Sequence, residues 1–189
     1  DNVLEQFVHF LEAYDESIIL YAHNGGKFDT FLLLKQLLKM NDTGKVENLL
    51  DSGGRLMSLD FRFYKTKKVV QIRDSINLIP MSLDKACKSF KPKTVKLEGD
   101  VEHDRINIDN CTTQEIYEYT RNYLENDCVS LHEILLMFDS IMEDRFDFSV
   151  RDTLTNAGMA RKVFLDRFYQ DNLYNLSDDV DADLRKYYY

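Results

Sequence analysis

Asn24 and Asp29 bracket the stretch Asn24-Gly25-Gly26-Lys27-Phe28-Asp29, so a carboxamide and a carboxylate lie close together in the chain. Much later, Tyr123 and Asp127 are spaced i, i+4, which on a helix puts a phenol and a carboxylate on one face. A phenol hydroxyl one turn from a carboxylate can hold a water beside a cation bound by that carboxylate. Magnesium suits such a place, because it takes few carboxylates, keeps several waters and binds substrate phosphate. With two cations, one activates the attacking water and the other stabilises the leaving oxygen. Asp29 and Asp127 would then meet over one phosphate. Taken singly, each half has a plainer reading. An Asp at a helix start is commonly a cap or dipole partner, and a Tyr and Asp inside a helix commonly pack or face solvent. Order and context make the combination the more specific signal.

These residues need particular elements to hold them. In residues 17–38, SIILYAHNGGKFDTFLLLKQLL, the apolar run Ile18, Ile19, Leu20, Tyr21, Ala22 predicts a buried strand. His23-Asn24-Gly25-Gly26 is a turn signal, after which a helix-period pattern begins with Asp29 in its first turn. A strand-to-helix junction is the usual place for a site in an α/β domain. Upstream, Val3, Leu4, Phe7, Val8, Phe10 and Leu11 form a helical stripe. Residues 41–54 are polar and close on the turn Asp51-Ser52-Gly53-Gly54. Residues 55–64 then alternate, with Met57, Leu59, Phe61 and Phe63 on one face. With the strand at 69–73 they predict a hairpin across the basic turn at 65–68. Asp74-Ser75-Ile76-Asn77-Leu78 closes that strand, and Ser82 is a candidate N-cap for a helix ending at Phe90. Residues 91–111 are polar and loop-like. Thr112-Thr113-Gln114-Glu115 resembles a capping box at the start of a long helix to about residue 141, and 153–169 predict another.

Composition bounds the rest. The chain has 189 residues, enough for one core, and 44% hydrophobic content suits a globular domain without a membrane span. A net charge of −9 argues against broad electrostatic binding to a nucleic-acid backbone. It leaves room for a nuclease whose carboxylates meet phosphate through cations. The three cysteines (Cys87, Cys111, Cys128) have no CxxC spacing and suit reduced thiols in an intracellular or organellar setting. His9, His23, His103 and His132 lack zinc-ligand spacing, and Gly25-Gly26 lacks the Gly-Lys-Ser/Thr of a phosphate loop.

The residues resemble a family. Asn24-Gly-Gly-Lys-Phe28-Asp29 is similar to the second exonuclease motif of family B DNA polymerases, Asn-x(2–3)-Phe/Tyr-Asp. Tyr123-Leu-Glu-Asn-Asp127 is similar to the third, Tyr-x-x-x-Asp. The wording around them, AHNGGKFDTFLLL and YLENDCVSLHEIL, resembles the protein-primed branch of phages, linear plasmids and mitochondria. Asp74-Ser75-Ile76-Asn77-Leu78 resembles that branch's Ser/Thr-Leu-x-x-hydrophobic motif, with Ile76 where Leu is usual. The closing Leu184-Arg185-Lys186-Tyr187-Tyr188-Tyr189 resembles the approach to its Tyr-x-Gly-Gly motif.

The resemblance implies a ribonuclease H-like (DnaQ-like) α/β fold and a 3′–5′ proofreading exonuclease working with a DNA-directed DNA polymerase. It implies residues 1–150 as the exonuclease domain and 151–189 as a helical connection toward an absent polymerase palm. Asp29 and Asp127 would bind Mg2+ or Mn2+, Tyr123 would orient the attacking water, and Asn24, Phe28 and Ser75 would hold the single-stranded 3′ end. Stacking of an unpaired base on Phe28 is worth roughly 1–3 kcal/mol. The implied partners are a DNA primer/template and a terminal priming protein, with no membrane, in a mitochondrial, plasmid-borne or viral replicon. Two departures stand out. The family's first motif, Asp-x-Glu, has no counterpart before Asn24, since Asp100-Val101-Glu102 comes after the second motif. Glu98 stands where the branch has lysine, with Lys96 two residues earlier as a candidate for charge stabilisation. The expectation is a chain truncated at both ends and inactive alone, with a stand-alone exonuclease or a non-catalytic binding domain as alternatives.

Overall fold

The computed structural model describes residues 3–94 and 112–169. Its elements are α1 (Val3–Ala13), β1 (Ile18–Ala22), α2 (Asp29–Lys39), β2 (Gly44–Ser52), β3 (Arg55–Phe63), β4 (Val69–Asp74), α3 (Leu83–Phe90), α4 (Thr113–Phe146) and α5 (Asn156–Arg167). Single 3₁₀ turns occupy Gly25–Lys27, Ser75–Asn77 and Val150–Asp152. The four strands form one sheet in the order β1-β4-β3-β2. β1 runs parallel to β4, and β3 is antiparallel to both of its neighbours.

The alternation in β3 sets one side of the sheet. Leu59, Phe61 and Phe63 are buried with Val70 and Ile72 of β4 against Val8 and Leu11 of α1 and Leu33 and Leu37 of α2. Phe61 and Phe63 meet edge to face at 5.1 Å, a geometry that adds to their area burial. On the other side, Tyr21 of β1 packs with Leu78, Ile79, Ala86 of α3 and Ile134, Leu135 and Phe138 of α4. Helices thus cover both faces, and β1, apolar on both sides, needs no alternation.

The polar stretch at 41–54 holds a strand, β2, that its composition did not predict. Asn48 has φ 48°, and the pairing with β3 shifts register between Glu47 and Leu50 and again before Asp51. A bulge on an edge strand breaks the period-2 signal and tolerates charge. The hairpin turn after it is as expected: Gly53 and Gly54 both take positive φ, and Ser52 pairs with Arg55. The Ser82 cap also agrees, since Ser82 Oγ accepts from the Lys85 N–H, while α5 starts later than the expected 153, at Asn156, where Thr155 Oγ1 accepts from the Gly158 N–H.

The long helix α4 reaches Phe146, a turn farther than the expected end. Its Glu133 carboxylate accepts both the N–H and the hydroxyl of Thr94, and Ser130 donates to the Thr94 carbonyl. Met142, Phe148 and Val150 pack with Met159 and Val163, so an apolar cluster continues across residue 150 into α5. No helix among the described residues is long and apolar enough to cross a membrane.

Candidate strand-end interface and metal position

The parallel pairing of β1 and β4 brings Ala22 level with Asp74, so both strands end together. From there Asp74 organises the turn. Its Oδ1 accepts the backbone N–H of Asn24 at 2.7 Å and of Ile76 at 3.2 Å, and its Oδ2 accepts that of Gly26 at 3.1 Å. The Arg55 guanidinium stands 4.0 Å from the same Oδ2. A carboxylate only 2% exposed is costly to bury, and three amide donors with a nearby cation offset that cost. The glycines are required by this closeness. A Cβ on Gly26 would sit 2.1 Å from the Leu56 carbonyl oxygen and 2.9 Å from Asp74 Oδ2. Asn24 is left-handed, at φ 65°, which Asn tolerates better than most residues. Its side-chain oxygen accepts from Arg55 Nη2 at 2.8 Å.

One step behind, His23 and Ser75 lock the base of the turn. His23 Nε2 lies 2.8 Å from the Met81 carbonyl oxygen, which only accepts, so that nitrogen carries a proton. His23 Nδ1 is 3.0 Å from Ser75 Oγ, and the Ser75 hydroxyl donates to the Ala22 carbonyl at 3.0 Å. Ser75 is fully buried. Ser75, expected at the DNA strand end, is thus placed beneath the turn, where its hydroxyl ties β1 to β4. The short resembling motif gave no hint of burial, because that follows from the parallel pairing.

The outer part of the turn is open. Phe28 is 71% exposed, and Asp29 opens α2 at the surface. Ring and carboxylate are thus presented side by side on a backbone pinned by Asp74.

On α4, Tyr123 and Asp127 are half-buried and one turn apart. Asp127 Oδ1 is buried without a hydrogen-bond partner. A buried carboxylate oxygen left this way calls for a cation or a donor, so Asp127 fits the role of a cation ligand. No group of three or more His, Cys, Asp or Glu side chains among the described residues is gathered closely enough to hold a metal. Asp29 and Asp127 are therefore not joined in such a group. Lys96, Asp100 and Glu102 lie outside the described residues, as do residues 170–189.

Sequence reasoning passed over Asp74, Arg55 and the double tie of His23. Asp74 sits beside the quoted Ser75 and has the type of a ligand or cap. Arg55 carries no local signal, because its partners are remote in the chain.

The sequence pattern of the family described as DNA polymerase type B, organellar and viral, matches residues 12–115 and 101–189. The DNA-directed DNA polymerase of Enterobacteria phage PRD1 is 28% identical over 159 residues, spanning 84% of this chain and 23% of that protein. The DNA polymerase of Kluyveromyces lactis is 25% identical over 187 residues, spanning 78% of this chain and 18% of that one. Among solved structures, phi29 DNA polymerase complexed with primer-template DNA and incoming nucleotide aligns at TM-score 0.66 and 21% identity, over 98% of this chain and 32% of that chain. Phi29 DNA polymerase complexed with single-stranded DNA aligns at TM-score 0.58 and 21% identity, over 87% and 28%. The chain thus spans a third or less of each of these relatives, and the structural likeness shows the fold alone, a mixed α/β sheet that fits the ribonuclease H-like type. The match covers most of its length, and this chain belongs to the organellar and viral type B DNA polymerase family.

Proposed function

We propose that this chain supplies the 3′–5′ proofreading exonuclease region of a protein-primed DNA polymerase and receives a frayed single-stranded 3′ end. The observation that carries the reading is the turn at 24–29, where Asn24, Phe28 and Asp29 reach the surface on a backbone cross-tied by buried Asp74. Phe28 stacks on the terminal base, and Asn24 contacts the strand beside it. Asp127, with its unpartnered oxygen, and Asp29 hold Mg2+ or Mn2+, while Tyr123 orients the attacking water. When bound, such cations lower the pKa of that water and stabilise the leaving oxygen. The family's first motif, Asp-x-Glu, would complete the ligand set. The whole enzyme would extend primed DNA, work with a terminal priming protein, and serve a viral, plasmid or mitochondrial replicon.

The test is fluorescence anisotropy of an end-labelled single-stranded oligonucleotide with a free 3′ hydroxyl. The chain should bind it in preference to a blunt duplex, and Phe28→Ala should weaken binding about tenfold, the loss of one stacked base. Equal affinity of wild type and Phe28→Ala would remove the strand end from this turn.

A further inference from the structure

We infer that Arg55 is a positioning residue that decides which face of the Asn24 side chain meets the strand end; the inference rests on the strand-end reading of the turn. Arginine carries only donors, so the atom of Asn24 facing its Nη2 at 2.8 Å is the carbonyl oxygen. The Asn24 amino group, with two donors, is therefore turned outward. Both the backbone and the side chain of Asn24 are held by one pair of residues. Asp74 Oδ1 takes the backbone N–H at 2.7 Å, and Arg55, 4.0 Å from Asp74 Oδ2, takes the side-chain oxygen. The Arg55 side chain is 24% exposed and that of Asp74 is fully covered, so the pair is shielded from bulk water without being sealed.

The outward amino group selects a hydrogen-bond acceptor. On a single strand that acceptor is a phosphodiester oxygen or a base carbonyl. Without Arg55 the amide can turn over with little change in shape, presenting its carbonyl to the same acceptors and repelling them. Lysine cannot replace the fork. A single ammonium does not reach the Asn24 oxygen and the Asp74 carboxylate with the geometry of a planar guanidinium. Arg55 follows directly on the Gly53-Gly54 hairpin turn, which sets the first residue of β3 over the end of β4. The strand-end turn is thus oriented by the neighbouring hairpin.

The test is a double-mutant cycle read by the same anisotropy assay on the full 189-residue chain. Arg55→Gln should weaken binding of the single-stranded oligonucleotide about five- to tenfold, within the range for losing one ordinary hydrogen bond. Arg55→Lys, which keeps a cation near Asp74 and protects the fold, should also weaken it. The double variant with Asn24→Ala should bind no worse than Asn24→Ala alone. Asn24→Asp should melt at or above the wild-type temperature, because Arg55 gains an ionic partner, yet bind the strand poorly because its outward donors are gone. A purely structural role for Arg55 would not separate stability from binding in that way. Losses that multiply in the double variant, or wild-type affinity in both Arg55 variants, would overturn the inference. A silent Asn24→Ala would instead overturn the strand-end reading beneath it.

Discussion

Asn24 and Asp74 stand at the ends of two parallel strands, and the Asp74 carboxylate accepts the Asn24 backbone N–H at 2.7 Å. The same carboxylate accepts from Gly26 and Ile76, so the loop after β1 and the loop after β4 share one buried anchor. The chain brings its surface residues into place by hanging two loops on a single side chain. Removing it costs more than a surface ion pair would.

Asp74→Ala strands three amide donors and leaves Arg55 without its carboxylate. The expected loss of stability is about 3–5 kcal/mol, the range for breaking a buried pair. Chemical denaturation of the variant beside wild type measures it. A change below about 0.5 kcal/mol, typical of an indifferent surface site, would show that the anchor is not needed.

Gly26→Ala tests the same junction sterically. Its new methyl would lie 2.1 Å from the Leu56 carbonyl oxygen, which belongs to β3 backbone and cannot rotate away. The turn must shift, parting the Gly26 N–H from Asp74, at a cost of about 1–3 kcal/mol. Gly53→Ala is a useful contrast. A Cβ there meets nothing within 4 Å, so only its positive φ is disfavoured.

The tie between Thr94 and Glu133 carries a pH dependence. The Thr94 backbone N–H, assisted by its hydroxyl, holds the Glu133 carboxyl below its ordinary value. A carboxyl depressed in the folded state binds more protons when unfolded, so its stabilisation is present above the ordinary carboxylate range. It is lost as pH falls through the lowered folded value. Thermal melts of wild type and Glu133→Gln, taken from neutral pH down to about pH 3, should converge at the acid end. A gap independent of pH would show that the carboxylate charge plays no part.

Much of the frame was legible in the sequence for local reasons. The alternation of Leu59, Phe61 and Phe63 marked a strand with one buried face, and Ser82 marked a helix start. The junction of strand, turn and helix around Asn24 needed only an apolar run and a Gly-Gly pair. β2 escaped because a bulge at Asn48 and an exposed edge erase the period on which strand recognition depends. At the site, Asn24, Phe28 and Asp29 were legible as residue types in one turn, and Phe28 is as open as a stacking role requires. Asp74 and Arg55 were not, because their work depends on partners far away in the chain. Ser75 was visible as a residue type but its burial was not, since nothing local distinguishes a surface hydroxyl from one buried between parallel strands.

Backbone amide NMR during titration with a single-stranded oligonucleotide that has a free 3′ hydroxyl observes the turn directly. Shifts centred on Asn24, Gly25, Gly26, Lys27, Phe28 and Asp29, with Arg55 beside them, are the predicted result. Saturating binding that leaves these amides unmoved would contradict the assignment of the strand end to this turn.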